Sequence, residues 1–275
     1  MPARARLATD RRAGVPGALW PFAVLALAFL TFPLVALLVR APWAQLPQLL
    51  FTPQVLDALR LSLVSAVLAT LISLVLGVPL AWVLVRSSRW RMPGLRRLLR
   101  ALVLVPLVLP PVVGGVALLL LLGRRGLLGQ YLFEWFGVSL PFTTTAVVLA
   151  EAFVAMPFLV LAVEGALRSA DRRYEDAAAT LGASPFTVFR RVTLPLVAPG
   201  VLAGAVLCFA RALGEFGATI TFAGSLPGVT QTMPISAYLA LQTDPDAAIV
   251  LSLVLLAVSI VVLVSLRDRW LGVTS

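Results

Sequence analysis

The sequence predicts an all-α polytopic membrane protein with about six transmembrane helices, and three observations support that prediction. Of the 275 residues, 60% are hydrophobic and 12% are charged, whereas soluble domains contain about 25% charged residues. The mean hydropathy is +1.01. Six apolar stretches reach the roughly 20 residues that a membrane helix needs. The basic residues, all of which are Arg, are distributed unevenly between the loops.

The six apolar stretches form the predicted spans. In chain order they are residues 19–38, 61–85, 101–122, 145–167, 198–224 and 247–266. The first follows four Arg residues, as the apolar run of a signal peptide does, but it is too long and no convincing cleavage site follows. We therefore expect a basic N-terminal tail at 1–18, one transmembrane domain at 19–266 that includes a polar loop at 171–196, and a C-terminal tail at 267–275.

The Arg residues predict the orientation. Seventeen lie in the two tails, the loop after span two and the loop after span four, whereas Arg40, Arg60, Arg124 and Arg125 lie on the other side. Cytoplasmic loops of membrane proteins are enriched in Lys and Arg, so both termini and the loop at 171–196 are predicted to be cytoplasmic. Topology and contacts with membrane lipid headgroups then explain the net charge of +10, and no nucleic-acid partner is expected.

Residue types that are absent exclude several functions. The chain has no His and no Lys, which removes most His-based metal chemistry and any P-loop of the Gly-x4-Gly-Lys-Ser/Thr kind. Its one cysteine, Cys208, lies in an apolar run and cannot form an intrachain disulfide. We expect no metal, no cofactor and no catalytic residues. If the protein uses energy, that energy must then come from a partner protein or an ion gradient.

The loop at 171–196 is predicted to form two short helices around a break. Asp171 is placed to cap the first helix, and Gly182 to end it in the left-handed conformation. Ser184 is then the N-cap of the second helix, with Pro185 at its first position. Small and apolar residues share one face of the first helix, so the segment suits docking into a groove on another protein. An ordinary amphipathic loop helix fits the same pattern.

Breaks and charges occur inside the spans. Prolines in span three free carbonyl groups of the preceding turn, so spans three to five are expected to form a core with alternative arrangements, as a transporter requires. Gly200 and Gly204 form a small face for close packing. Arg211 and Glu215 stand four apart on one helix face of span five, where they can pair or serve a translocation path. Glu151 and Glu164, near the two ends of span four, are expected to snorkel or cap.

Within the loop, the spacing Asp176-Ala177-Ala178, three residues, Gly182, nine residues, Val192, one residue, Leu194-Pro195 resembles the EAA loop of ABC-importer permeases. Asp176 stands where that family usually has Glu, and Val192 stands where Ile is usual. The resemblance implies a type I ABC importer permease fold, in which this segment is the coupling helix that sits in a cleft of a cytoplasmic ATPase subunit. The residues implied in ATPase coupling are Glu175, Asp176, Ala177, Ala178, Leu181 and Gly182.

A second resemblance concerns the cargo. Residues 209–222, FARALGEFGATITF, their continuation at 228–234 and the upstream 105–113 are similar to molybdate ABC-importer permeases. Phe216 and the Thr-rich continuation favour molybdate or tungstate over sulfate or thiosulfate, whose permeases usually have Tyr at that position. The implied translocation path consists of Arg211, Gly214, Glu215, Gly217, Thr219 and Thr221.

The resemblance also implies partners. A prokaryotic cytoplasmic-membrane complex would contain two copies of this chain, two ATPase subunits that hydrolyse ATP and an extracytoplasmic oxyanion-binding protein that the outer loops meet. Three alternatives stay open at this point. They are a sulfate or thiosulfate permease, a secondary transporter driven by a gradient through Glu215, and a membrane sensor whose loop at 171–196 binds a signalling partner.

Overall fold

The computed structural model describes residues 17–87 and 93–270, and every regular element in those ranges is helical. The chain divides into two compact units, Met1–Ala41 and Pro42–Ser275. The first unit contains α1 (Trp20–Val39), which matches the first predicted span. Most of the predicted N-terminal tail and the end of the predicted C-terminal tail lie outside the described residues, so the predicted domain division stays a prediction.

The second unit contains the other α-helices of the described chain. In order these are α2 (Leu46–Leu50), α3 (Pro53–Arg86), α4 (Pro93–Val108), α5 (Pro111–Leu122), α6 (Gly129–Phe136), α7 (Thr144–Ser169), α8 (Arg173–Thr180), α9 (Pro185–Val188), α10 (Leu194–Leu213), α11 (Gly217–Ala223), α12 (Met233–Thr243) and α13 (Pro245–Trp270). A π-helical turn, Phe189–Thr193, joins α9 to α10.

The predicted spans agree with the helices except at two breaks. Five helical stretches of the described chain are long and apolar enough to cross a membrane, and the pair α4 and α5 makes a sixth if it counts as one span. That pair bends by 116°, which confirms a break at the prolines of predicted span three. Predicted span five is wrong in one respect, because α10 ends at Leu213 and α11 begins only at Gly217. The cytoplasmic placement of both termini stays a prediction.

Helices also occur in segments that were predicted as outer loops. α2 and the first two turns of α3 occupy the end of the first loop, and α12 occupies much of the third. α6 lies in the second of these loops. α12 is anchored by Met233, which is fully buried and packs with Val55 and Ala58 of α3 and Leu251 of α13. Much of the segment between predicted spans five and six is therefore a packed helix.

The main core lies between α3, α7 and α10, whose buried faces carry small and branched apolar residues. Gly204 of α10 approaches α7 so closely that a Cβ at this position would lie 2.9 Å from the Cβ of Ala162. Gly200, one turn earlier, faces Ala166 in the same way. The predicted small face thus packs on a second small face, and this gives the close backbone approach that stabilises helix pairs in lipid.

A second cluster joins α11 to α5 and α7, with Leu118, Val147 and Phe222 among its members. A Cβ on Gly217, the first residue of α11, would lie 2.9 Å from the Cβ of Pro111, the first residue of α5. The two short helices that follow the breaks therefore pack on each other. This contact joins the interrupted spans three and five at one place in the molecule.

Candidate coupling loop and helix break

α8 is delimited by local capping interactions. Asp171 Oδ1 accepts a hydrogen bond at 3.0 Å from a backbone N–H of the first turn. At the other end, the N–H groups of Gly182 and Ala183 donate to the carbonyl groups of Ala179 and Ala178, the two bonds of a Schellman motif. Gly182 has a φ of +81°, as the sequence predicts for a left-handed residue that ends the helix.

The second helix of the loop starts as predicted and ends in an unusual turn. The Ser184 hydroxyl accepts a hydrogen bond from the N–H of Thr187 at 3.3 Å, and Pro185 occupies the first helical position. The π-helical turn then leads directly into α10. Turns of this kind are rare and are frequent at functional sites. The sequence alone did not indicate it.

Three large apolar side chains of this loop, Tyr174, Leu181 and Phe186, are exposed, and Leu181 is 88% exposed. Asp176 and Ala177, both on α8, are also exposed. Exposed apolar side chains on an otherwise polar segment are candidates for contact with another protein. This surface can therefore receive another protein.

Glu175 differs from its neighbours because its carboxylate contacts other parts of the chain. Its side chain is 13% exposed and forms an ion pair with Arg86 at the end of α3. It also accepts a hydrogen bond from the Thr193 hydroxyl at 2.7 Å. The sequence grouped Glu175 with the residues that face an ATPase. That role stays a prediction, but both carboxylate oxygens already have partners within the chain.

The interruption of span five is stabilised by Glu215, whose side chain is 1% exposed. Its Oε2 lies 2.6 Å from Nη1 of Arg211, so the two residues form the pair that their spacing allows. Its Oε1 accepts a hydrogen bond at 2.9 Å from the N–H of Ala218. Glu215 therefore neutralises an Arg in the last turn of α10 and places a negative charge at the positive end of α11.

The other predicted path residues lie around this break. Gly214 is exposed, and the Arg211 side chain is 27% exposed. Thr219 is fully buried, and its hydroxyl has no hydrogen-bond partner among the described residues. The Thr221 hydroxyl donates to the carbonyl of Gly217, which is itself buried against α5. Gly214 is thus exposed and Arg211 partly exposed, whereas Glu215, Gly217 and Thr219 are buried, and the path role of all six residues stays a prediction.

A buried polar network connects α3, α7 and α12, and it was not predicted from the sequence. Glu151 Oε1 accepts a hydrogen bond from the Ser65 hydroxyl at 2.8 Å, and the Ser62 hydroxyl accepts one from the N–H of Met233 at 2.8 Å. Glu151 is fully buried, so the expectation that it snorkels or caps is wrong. Ser62 and Ser65, three residues apart on one face of predicted span two, are the sequence signal that could have indicated this network.

Glu164 is also buried, contrary to the expectation of a snorkelling residue. Its Oε1 lies 2.5 Å from Nη2 of Arg168, one turn later on α7, and 3.6 Å from Nη2 of Arg100 on α4. The carboxylate therefore links α4 to α7. Among the residues that the structure describes, no group of three or more Cys, Asp or Glu side chains is placed to hold a metal ion.

Comparison with known proteins identifies the family. Residues 73–273 match the family described as the binding-protein-dependent transport system inner membrane component. The chain belongs to this family. It is accordingly a multi-pass protein of the cytoplasmic membrane and a transport subunit of an ABC transporter, not an enzyme. The ATPase of such a transporter is a separate subunit.

Relatives of this chain include molybdenum permeases and sulfate permeases. The chain is 53% identical over 247 residues to the molybdenum transport system permease protein ModB of Mycobacterium tuberculosis. The match covers 90% of this chain and 92% of the relative. It is 43% identical over 216 residues to ModB of Escherichia coli, with coverages of 78% and 93%. It is 37% identical over 242 residues to the sulfate transport system permease protein CysT of Salmonella typhimurium, with 86% of each covered.

Solved structures show the fold of the family member. A bacterial ABC transporter involved in the import of the acidic polysaccharide alginate matches with a TM-score of 0.71 and 17% identity, over 94% of this chain and 95% of that one. The MetNI methionine ABC transporter matches with a TM-score of 0.58 and 18% identity, over 82% and 100%. These likenesses confirm the predicted type I ABC importer permease fold.

Proposed function

We propose that this chain is the permease of an ABC importer for molybdate, with tungstate as a second substrate. The observation that carries the proposal is the difference in identity between the two kinds of relative. Identity is 53% with a molybdenum permease over 90% of the chain, and 37% with a sulfate permease over 86% of it. Molybdate and sulfate are both tetrahedral dianions, so charge and shape do not distinguish the two cargoes. The difference in sequence identity does. A sulfate permease is the alternative.

The proposed complex contains two copies of this chain, two ATPase subunits and an extracytoplasmic oxyanion-binding protein. The exposed apolar residues Tyr174, Leu181 and Phe186 support docking of the α8 region into an ATPase cleft. One solved relative, the alginate transporter, is described in complex with an alginate-bound periplasmic protein. In the proposed orientation the termini and α8 lie in the cytoplasm, and α2 and α12 lie on the side of the binding protein.

In the proposed cycle, ATP binding closes the ATPase pair and displaces both copies of α8. Spans three to five then rearrange and expose the cavity outward, where the binding protein releases its oxyanion. Hydrolysis restores the inward-facing state. The breaks between α4 and α5 and between α10 and α11 interrupt two of these spans, and interrupted helices of this kind commonly form binding sites in transporters.

The path that we propose follows Arg211 and Gly214. A dianion requires hydrogen-bond donors and no unpaired carboxylate on its route. Arg211 keeps part of its guanidinium group exposed, and Gly214 exposes backbone beside it. Both oxygens of the buried Glu215 carboxylate are occupied by Arg211 and Ala218, so Glu215 orients Arg211 and is shielded from the anion. Thr219 and Thr221 would reach the path after a movement of α11.

Uptake of radiolabelled molybdate by cells with and without this gene tests the proposal. We expect deletion to abolish uptake and a plasmid copy to restore it. Excess unlabelled tungstate should compete, and excess sulfate should not. If deletion abolished sulfate uptake and left molybdate uptake intact, the cargo would be sulfate instead. Unchanged uptake of every oxyanion after deletion would contradict the proposal.

A further inference from the structure

Glu175 lies where three helical segments meet. One carboxylate oxygen pairs with Nη2 of Arg86, in the last turn of α3, and the other accepts the hydrogen bond from Thr193 at 2.7 Å. Thr193 is the last residue of the π-helical turn and directly precedes α10. A single carboxylate on α8 is therefore bonded to the end of one membrane helix and to the start of another.

Aromatic contacts reinforce this meeting point. Trp82, one turn before Arg86 on α3, packs edge-on against Phe189 with ring centroids 5.3 Å apart. Cζ of Arg86 lies 5.5 Å from the centroid of the Trp82 ring, within the range of about 6 Å in which a guanidinium group is attracted to an indole. We call Trp82, Arg86, Glu175, Phe189 and Thr193 the joint.

The joint is separate from the exposed surface of the loop. The side chains of Glu175 and Arg86 are 13% and 25% exposed, whereas Tyr174 and Leu181 are largely exposed. The two membrane helices that the joint contacts, α3 and α10, form the main core together with α7. A displacement of α8 therefore acts on two of the three core helices through charged and aromatic contacts.

We infer that Glu175 is a positioning residue that transmits the movement of α8 to α3 and α10, and not a contact of the ATPase. The inference rests on the proposed function, because it assumes that α8 docks on an ATPase. A charge-assisted hydrogen bond is roughly twice as strong as a neutral one, and partial burial of the pair reduces screening by salt. The joint therefore keeps α8 from sliding along the end of α3 when the ATPase moves the loop.

The test compares Glu175→Gln with the wild type in proteoliposomes that contain the complete complex of this chain and its ATPase. The amount of ATPase that co-purifies and the molybdate transported per ATP hydrolysed are measured. We expect normal co-purification, because the exposed surface is intact, and a fall of about tenfold in transport per ATP, as for the loss of one hydrogen bond to a charged group. Arg97→Gln, an exposed Arg of α4 outside the joint, should keep the wild-type ratio.

Charge exchange separates the pair from a general loss of stability. Arg86→Glu and Glu175→Arg each bring like charges together and should reduce the ratio, whereas the two changes combined should recover most of it. An unchanged ratio in Glu175→Gln would overturn the inference. So would loss of the ATPase from that variant, because Glu175 would then be a direct contact. A wild-type chain that retained no ATPase would instead overturn the proposed function.

Discussion

Replacement of Glu215 by Gln should destabilise the junction of α10 and α11 through the charge that it leaves behind. The Gln side chain keeps an oxygen that can accept the hydrogen bond from Ala218, but it no longer neutralises Arg211. Removal of one partner of a buried ion pair costs about 3–5 kcal/mol. Because the Arg211 side chain is 27% exposed and part of its charge stays hydrated, we expect a loss of about 2–3 kcal/mol in the free energy of unfolding.

Four further variants isolate this effect. Glu215→Ala also removes the acceptor for Ala218 and should cost about 1–2 kcal/mol more. Arg211→Met is made alone and combined with Glu215→Gln. The combination removes both charges and should be more stable than Glu215→Gln alone, with a coupling energy of about 1–3 kcal/mol. Glu134→Gln, an exposed position on α6, is the matched control and should change stability by less than about 0.5 kcal/mol.

The free energy of unfolding can be measured by denaturant titration of the purified chain in detergent micelles, followed by circular dichroism. The decisive comparison is between the double variant and the sum of the two single variants. If the losses simply added, Arg211 and Glu215 would not be coupled, and the explanation of the helix break would be refuted.

Further predictions concern packing, backbone and hydrogen bonding. Gly204→Val presses on Ala162 and should cost about 1–3 kcal/mol in the same titration, with partial recovery on Ala162→Gly; an unchanged stability would contradict the close approach. Gly182→Val forces a φ of +81° on a β-branched residue, which costs about 1–2 kcal/mol in the free energy of unfolding. The change should lower both ATPase co-purification and molybdate uptake. Wild-type values of both would refute the coupling role. Ser62→Ala removes the acceptor of a buried N–H of α12 and should cost about 1–3 kcal/mol. Ser259→Ala, whose exposed hydroxyl bonds only within α13, should cost less than about 0.5 kcal/mol, and equal losses would contradict the buried network.

The local structure of the coupling loop could be predicted from the sequence, because its determinants lie a few residues apart. Ser184 and Gly182 set a helix start and a helix end through bonds that span three to five positions. The orientation of Glu175 could not be predicted, because its partner Arg86 is 89 residues away along the chain. The pattern of the loop does not separate a carboxylate that faces a partner protein from one that faces α3.

The spans could be predicted where apolar runs are continuous, but their interruptions could not. Gly214 and Glu215 lie inside a strongly apolar window, so average hydropathy hides the end of α10. α12 could not be recognised from hydropathy, because Thr and Gln lower its mean value. Pro234, soon after Thr232, is nevertheless a helix-start signal. Glu151 was misjudged because the sequence shows its distance from a helix end and not its burial beside another helix.

Transport by the reconstituted complex tests the central claim most directly. Proteoliposomes would contain this chain and its ATPase, with the binding protein, radiolabelled molybdate and ATP supplied on their proper sides. We predict uptake that requires both ATP and the ATPase subunit, that excess tungstate inhibits and that excess sulfate leaves unchanged. Molybdate uptake without the ATPase, driven by an ion gradient and abolished by an ionophore, would contradict the account.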